Sequence, residues 1–437
     1  MKYRSLNYNS HNVSFLDAIR KGLAPDRGLY FPENIPKISE KFIQSINSYS
    51  DHEIAFEVIY PFVENEISKN KLREIIADTL IFDFPIVPIN DKIATLELFH
   101  GPTLAFKDVG ARFMARCLNY ANEIKSNKNL TILVATSGDT GGAVAHGFYK
   151  VEGINVVILY PKGKVSAIQE KQLTTLGENI TALEVDGTFD DCQDMVKSAF
   201  VDSDLIDKIE FSSANSINIA RWLSQMFYYF IAYKNRPYPE KKLIISVPSG
   251  NFGNICAGLV AHQMGLPIDH LIASTNINNT VPNYLNSGTY SPKKSKPTIS
   301  NAMDVGDPSN FIRIKKIFNN DLFKIKKVLS GYHYSDSQTR KAMKEIYKIS
   351  SYISEPHGAV GYLGLKEFLK ETNESYHGIF FETAHPIKFA EIVEGTLKTT
   401  IEVPNRLKSI LERTNNSIPI KTYEQLKAYL LERSINT

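Results

Sequence analysis

Twice along the chain a short run of β-branched and apolar residues gives way to a glycine loop and then to a helical pattern. The first is LTILVAT (130–136), broken by SGDTGG (137–142) and continued by AVAHGFYK. The second is KLIISVP, then SGNFGN (249–254), then ICAGLVAHQMG, together spanning 242–265. Between and beyond them, INVVILYP (154–161), NITALEVDG, HLIAST (270–275) and GIFFETAHP (378–386) read as strands. SAIQEKQLTTLG, ended at Gly177, and FDDCQDMVKSAF read as helices. Strands alternating with helices predict an α/β fold, with parallel sheets covered by helices on both faces. Two widely separated glycine-loop units predict two such sheets. The expected partition is an N-terminal mixed segment (1–90), a smaller α/β domain (91–235) and a larger α/β domain (236–437). Ligands in such folds sit beyond the carboxyl ends of the strands. That places 137–142, 249–254 and the strand end at Thr383 near one cleft.

A chain of 437 residues is long for one compact domain, which agrees with a multi-part reading. Fifty basic and 47 acidic side chains leave a net charge of +3, which gives no case for a nucleic-acid or membrane surface. Cys117, Cys192 and Cys256 lie far apart, and without a CxxC pair they predict neither a zinc ribbon nor thioredoxin chemistry. So few cysteines suit a reducing compartment. The N-terminus MKYRSLNYNSHNVSF has no apolar signal core, and no apolar run reaches about 18 residues. A cytoplasmic protein is expected.

The loops and their neighbours carry the candidate chemistry. In SGNFGN, glycines let backbone N–H groups point inward at a helix N-terminus, a geometry that suits a phosphate. The loop matches neither GxxxxGK[ST] nor GxGxxG, and it also suits a tight turn with no ligand. SGDTGG adds Ser137, Asp139 and Thr140, which could clamp a carboxylate or cap the helix. SANSINIARWLSQ (213–225) gathers Ser216, Asn218 and Arg221 at a predicted helix start. Ser216 and Asn218 also suit plain capping, but a cation on the first turn is disfavoured by the helix dipole, so Arg221 calls for an anion, either a local acidic side chain or a ligand. In FHGPTLAFKDVG (99–110), Lys107 stands behind Leu104, Ala105 and Phe106 at the mouth of a helix. It is either an ordinary helix-start lysine or a partly desolvated amine that loses its proton readily and becomes a nucleophile. The histidines stand alone and suggest packing roles, and no metal site is expected.

Together these stretches resemble the threonine synthase family of fold-type II pyridoxal-phosphate enzymes. The resemblance runs through NVSFLDAIRKGLAPDRGLYFPE, LELFHGPTLAFKDVGARFMAR, VATSGDTGGAVAHGF, NSINIARWLSQ, PSGNFGNICAGLVA, NNTVPNYLNSGTY, SNAMDVGDPSNF, EPHGAVGY and ETAHPIKF, in order. It implies pyridoxal 5'-phosphate as cofactor, with Lys107 bonded to its aldehyde. It places Gly250, Asn251, Phe252, Gly253 and Asn254 around the cofactor phosphate and Thr383 at the pyridine nitrogen. It assigns TSGDTGG, with Ser137 and Thr140, to the substrate carboxylate and the ring hydroxyl. Asp139 departs from the Asn of distant relatives, and an ionised Asp would repel the ring phenolate, so either the loop tilts or Asp139 bonds elsewhere. The implied substrate is O-phospho-L-homoserine, converted with water to L-threonine and phosphate by a monomer or homodimer. Its phosphate needs a separate site, expected at Ser216, Asn218 and Arg221, with Lys171 as a further candidate. Dehydratases, cysteine synthases and a phosphohomoserine lyase share the lysine and the glycine loop. A non-catalytic binding protein would explain the loops but not Lys107.

Overall fold

The computed structural model describes residues 1–125, 129–372 and 375–435. The chain packs as two compact units that interleave in sequence. One comprises Met1, Pro32–Phe106 and Trp222–Glu402; the other comprises Lys2–Phe31, Lys107–Arg221 and Val403–Thr437. These crossing points differ from the partition expected at 90/91 and 235/236. Periodicity shows what a segment is. It does not show which sheet a segment packs against when that sheet is built from distant parts of the chain.

The first unit is built on a six-stranded sheet. Its order is Leu329–His333, His270–Thr275, Lys242–Pro248, Tyr376–Glu382, Ile93–Glu97 and Ile86–Pro88. Neighbours run parallel except the last pair, so one antiparallel edge strand closes an otherwise parallel sheet. Tyr376–Glu382 is central, pairing Ile379 with Ile245 on one side and with Ala94 on the other. The helix Pro356–Lys370 packs on the central strands. It lies close because Gly364 has no side chain: a Cβ there would meet Ser274 Oγ at 2.0 Å. Three segments therefore leave the carboxyl edge of adjacent parallel strands: 249–254, Thr383 onward, and the stretch that leads to Phe106.

The second unit carries a five-stranded, all-parallel sheet. Its order is Ser417–Ile420, Ile180–Val185, Ile154–Pro161, Leu130–Ala135 and Glu210–Ser212. Ile154–Pro161 is buried at all but one position, as a central strand covered on both faces must be. Cys192, Met195, Leu426 and Leu430 from the helices Phe189–Ala199 and Tyr423–Ile435 join Leu159 and Leu183 in one apolar core. The N-terminal helix Phe15–Lys21 starts at Ser14, whose side chain accepts from the Asp17 N–H, and stops at Gly22, φ 69°. The Ser212 hydroxyl holds it by donating to the Ile19 carbonyl at 2.9 Å.

One local expectation is corrected. SANSINIARWLSQ does not open a single continuous helix whose dipole would act on Arg221. The segment forms a five-residue helix, Ile219–Leu223, followed by a separate one, Met226–Lys234. Arg221 sits in the middle of the short piece, so the dipole gives no reason for an anion there. Among the described residues no helix is long and apolar enough to cross a membrane.

Candidate active site

In the first unit the backbone before Lys107 is held along the end of the central strand. Leu98 N–H donates to the Glu382 carbonyl and Phe106 N–H to the Thr383 carbonyl, both at 2.9 Å. His385 N–H donates to Leu104 O at 3.0 Å, and Ala105 bridges Ala384. The Phe106 carbonyl accepts from the Tyr228 hydroxyl. Both backbone groups of the residue before Lys107 are thus engaged, which fixes where the next side chain departs. The Lys388 ammonium, itself buried, donates to Thr103 O at 2.8 Å. Leu104 is buried with φ 60°, a conformation that costs a branched residue energy and persists only where surrounding contacts enforce it. Tyr228 and Lys388 carried no sequence signal; each acts through a partner far away in the chain.

The loop 249–254 follows the strand Lys242–Pro248 and enters the helix Gly253–Met264. Phe252 stands at the N-cap in the left-handed region, φ 61°. No side chain caps this helix start, so its first N–H groups are available to an anion. Gly250 lies against the turn Asn301–Met303: a Cβ would meet Ala302 O at 2.5 Å and Met303 Cα at 3.0 Å. Asn251 is tied down by its own oxygens, accepting from Asn310 N–H at 3.2 Å and, at Oδ1, from Ser309 N–H at 3.3 Å. Asn254 is 7% exposed, and its Oδ1 accepts from Tyr229 OH at 2.7 Å. Its Nδ2 is buried with no protein partner. A buried donor of this kind costs stability until an acceptor arrives.

In the second unit Lys107 is the first residue of the helix Lys107–Lys125 and is partly buried, as an amine behind an apolar flank should be. The loop after Leu130–Ala135 is organised by Thr136, not by Asp139 or Thr140. Thr136 Oγ1 accepts from Gly138 N–H at 3.0 Å and from Gly141 N–H at 2.8 Å. The helix then begins at Asp139, earlier than expected, with Gly138 as N-cap and no side-chain cap bond. Gly138 holds φ 137°, and a Cβ there would meet Gln169 Cδ at 2.4 Å. Gln169 thus folds over the loop, and its Nε2 donates to Asp139 Oδ1 at 2.8 Å. The same Gln169 closes a capping box with Ser166. Asp139 does bond elsewhere. Ser137 and Thr140 remain partly exposed.

The residues expected to bind a second phosphate divide. Asn218 is fully buried; its Nδ2 donates to Ile19 O at 2.8 Å and Ser213 O at 3.1 Å, and its Oδ1 accepts from Ala220 N–H at 3.1 Å. These bonds make it a joint between the short helix and the N-terminal one. Arg221 is 2% exposed, and its guanidinium donates to the Ala214 carbonyl. It lies against the first turn of Lys107–Lys125: a Cβ on Gly110 would meet Arg221 O at 2.5 Å and Nε at 3.3 Å. Ser216 is partly buried. The Lys171 ammonium donates to the Arg413 carbonyl, a contact with the C-terminal segment.

Residues 89–377 match the family model for pyridoxal-phosphate dependent enzymes, which defines the class: an enzyme of the fold-type II kind that carries pyridoxal phosphate. Residues 2–80 match the model for the threonine synthase N terminus, and 358–430 that for the threonine synthase C-terminal region. The threonine synthase of Buchnera aphidicola subsp. Acyrthosiphon pisum is 44% identical over 99% of this chain and 100% of its own length. That of Escherichia coli is 43% identical over 93% and 94%. The crystal structure of the Escherichia coli enzyme superposes with a TM-score of 0.92 at 40% identity, covering 99% of this chain and 100% of that one. A threonine synthase from Brucella melitensis with bound pyridoxal phosphate superposes at 0.93 with 32% identity, covering 99% of each. This chain belongs to the threonine synthase family.

Its loop 249–254 fits the cofactor's phosphate on the geometry alone. An uncapped helix start, a side-chain-free floor at Gly250 and an orphaned Asn254 amide all ask for a compact anion.

Proposed function

We propose that this chain converts O-phospho-L-homoserine and water to L-threonine and inorganic phosphate. The observation that carries the reading is the extent of the likeness. It covers the pyridoxal-phosphate core and also the threonine-synthase segments at both ends of the chain. Bound at the site, pyridoxal phosphate supplies the electron sink that lets the substrate lose its Cα proton.

The protein's share is to bind, orient and move protons. Lys107 Nζ holds the cofactor and then serves as base, taking the proton at Cα and handling a second at Cβ. The N–H groups of 250–254 and the Asn254 amide take the cofactor phosphate. Thr383 faces the pyridine nitrogen; a hydroxyl is too weak an acid to keep that nitrogen protonated near pH 7, so more of the proton traffic falls to Lys107. Ser137 and Thr140, on the loop that Thr136 and Gln169 shape, take the substrate carboxylate. Asp139, held by Gln169, would be that loop's candidate contact to the cofactor. Arg221 and Ser216 take the substrate phosphate, Asn218 positions them, and Lys171 is the next candidate. The reading extends to a cytoplasmic monomer or homodimer acting on a small molecule, in keeping with three buried, unpaired cysteines.

Product analysis tests the reading. The purified, cofactor-loaded protein given O-phospho-L-homoserine should release threonine and phosphate in equal amounts. Release of 2-oxobutyrate and ammonia in place of threonine would make the chain a phosphohomoserine lyase and overturn it.

A further inference from the structure

We propose that Glu355 and His357 are positioning residues for the cofactor, forming a buried relay that sets the floor of the phosphate loop at Gly250 and ties it to Glu382, the neighbour of Thr383. The proposal rests on the reading of 250–254 as the phosphate loop.

The relay is traced bond by bond within the first unit. At one end, Glu382 closes the central strand and is fully buried. Its Oε1 accepts from Glu355 N–H at 2.6 Å, and its Oε2 accepts from the Ser354 hydroxyl at 3.2 Å. Gly358 makes room for it, since a Cβ there would meet Glu382 Oε2 at 1.3 Å. Glu355, also fully buried, is the N-cap of Pro356–Lys370; its carboxylate accepts from His357 N–H at 2.8 Å and Gly358 N–H at 3.0 Å. The same carboxylate meets His357 Nδ1 at 2.5 Å. At the other end, His357 Nε2 lies 3.1 Å from Ala302 N and accepts its N–H. An imidazole that accepts at Nε2 carries its proton on Nδ1, so the ring donates to Glu355 and the tautomer is set by the two partners. Ala302 is thereby gripped through its N–H, while its carbonyl lies against Gly250.

Capping alone does not call for this arrangement. A helix N-cap is satisfied by a short Ser, Thr, Asp or Asn at the surface, whereas here a buried glutamate caps the helix and also orients a histidine. Burial, with Glu355 beside it, pushes the Glu382 carboxyl well up. Among the described residues no cluster of three or more His, Cys, Asp and Glu side chains is placed to hold a metal ion. The relay's outlet is the backbone of residue 302. If that turn shifts, the loop packed on it shifts, and with it the N–H groups and the Asn254 amide that meet the cofactor phosphate.

Two substitutions at one position separate positioning from plain packing. Asparagine reproduces the Nδ1 end of histidine but offers nothing at Nε2; glutamine reaches the Nε2 position and offers an oxygen to Ala302 N–H. Apoprotein is titrated with pyridoxal phosphate, and the apoprotein melting temperature is recorded alongside. We expect His357→Asn to weaken cofactor binding by about tenfold or more, and His357→Gln, which keeps the bond to Ala302 but not the one to Glu355, to lose clearly less than His357→Asn. Equal binding by His357→Asn and wild type would overturn the relay, as would equal losses in both variants that merely follow their melting temperatures. If His357→Asn does not fold, Glu355→Gln decides: it keeps a capping oxygen but slackens the grip on His357, and unchanged cofactor affinity there also overturns the proposal. Gly250→Ala keeps the two readings apart, because its Cβ pushes the loop off Ala302. If it binds cofactor normally, the loop reading fails and takes the relay with it. If it loses cofactor while His357→Asn does not, the relay alone fails.

Discussion

Replacing Asn254 by aspartate changes one atom's chemistry at the helix start and nearly nothing else. The Tyr229 hydroxyl keeps its 2.7 Å bond to Oδ1, and the side chain keeps its shape. What is lost is the buried Nδ2 donor, which has no protein partner. A hydrogen bond to a charged acceptor is worth about 1.5–3 kcal/mol, so its loss alone weakens cofactor binding about ten- to hundredfold. A carboxylate roughly 4 Å from a phosphate adds about 4 kcal/mol of repulsion at an effective dielectric constant near 20. The combined loss reaches about ten-thousandfold or more when the new carboxyl is fully ionised. The carboxyl sheds part of that repulsion by taking up a proton, so the deficit should shrink as the pH falls. The assay is a titration of apoprotein with pyridoxal phosphate at pH 8 and again at pH 6, followed by the absorbance of the bound cofactor. Affinity within about threefold of wild type at pH 8 would refute the reasoning, since no phosphate could then sit against Asn254.

Borohydride reduction of the loaded protein should fix the cofactor to Lys107 in peptide maps; label on another lysine removes it from the site. Tyr228→Phe should free the Phe106 carbonyl and lower kcat about tenfold or more with a smaller change in cofactor affinity, because it loosens the peptide that aims Lys107 without touching the phosphate loop; steady-state kinetics of the loaded variant check it. Arg221→Leu, which removes both the charge proposed for the substrate phosphate and the bond to Ala214 O, should lower turnover of phosphohomoserine at least about a hundredfold and also lower the melting temperature; normal turnover by the folded fraction would make Arg221 purely structural. The Asp304 carboxyl is pushed up to about 6, chiefly by burial, against hydrogen bonds from Thr298 and Asn276 that favour its charge. A raised folded-state value means the contribution to stability is fully present below the ordinary value of 3.8 and is lost as the pH rises through about 6. Urea melts of wild type and Asp304→Asn at pH 4, 5 and 7 should therefore differ in slope, with about 2–3 kcal/mol less pH dependence across that window in the variant.

Elements set by local pattern were legible in the sequence, and some to the residue. HLIAST is the strand His270–Thr275 and INVVILYP the strand Ile154–Pro161, because buried parallel strands are short apolar runs with sharp polar ends. The glycine loops and the flanked lysine were equally visible, since a loop's backbone demands act on its own residues. Arg221 shows where the same reasoning failed. A helix dipole matters only if the helix continues, and whether 213–225 makes one helix or two is decided by packing that periodicity does not record. The interleaving of the two units was hidden for the same reason.

What the sequence concealed most thoroughly was the support around the candidate site. Tyr228, Gln169 and His357 each hold a neighbouring group through a bond to a residue far along the chain: Tyr228 to Phe106, Gln169 to Asp139, His357 to Ala302. Such residues have no spacing rule, because a hydrogen bond across a tertiary contact constrains geometry and not sequence distance. Yet they answer the question that Asp139 raised. The buried Gln169 amide meets the Asp139 carboxylate, and Gln169 does so while also capping its own helix. Replacing Gln169 by leucine should loosen the 137–142 loop and lower the melting temperature, because it removes both the bond to Asp139 and the capping box with Ser166.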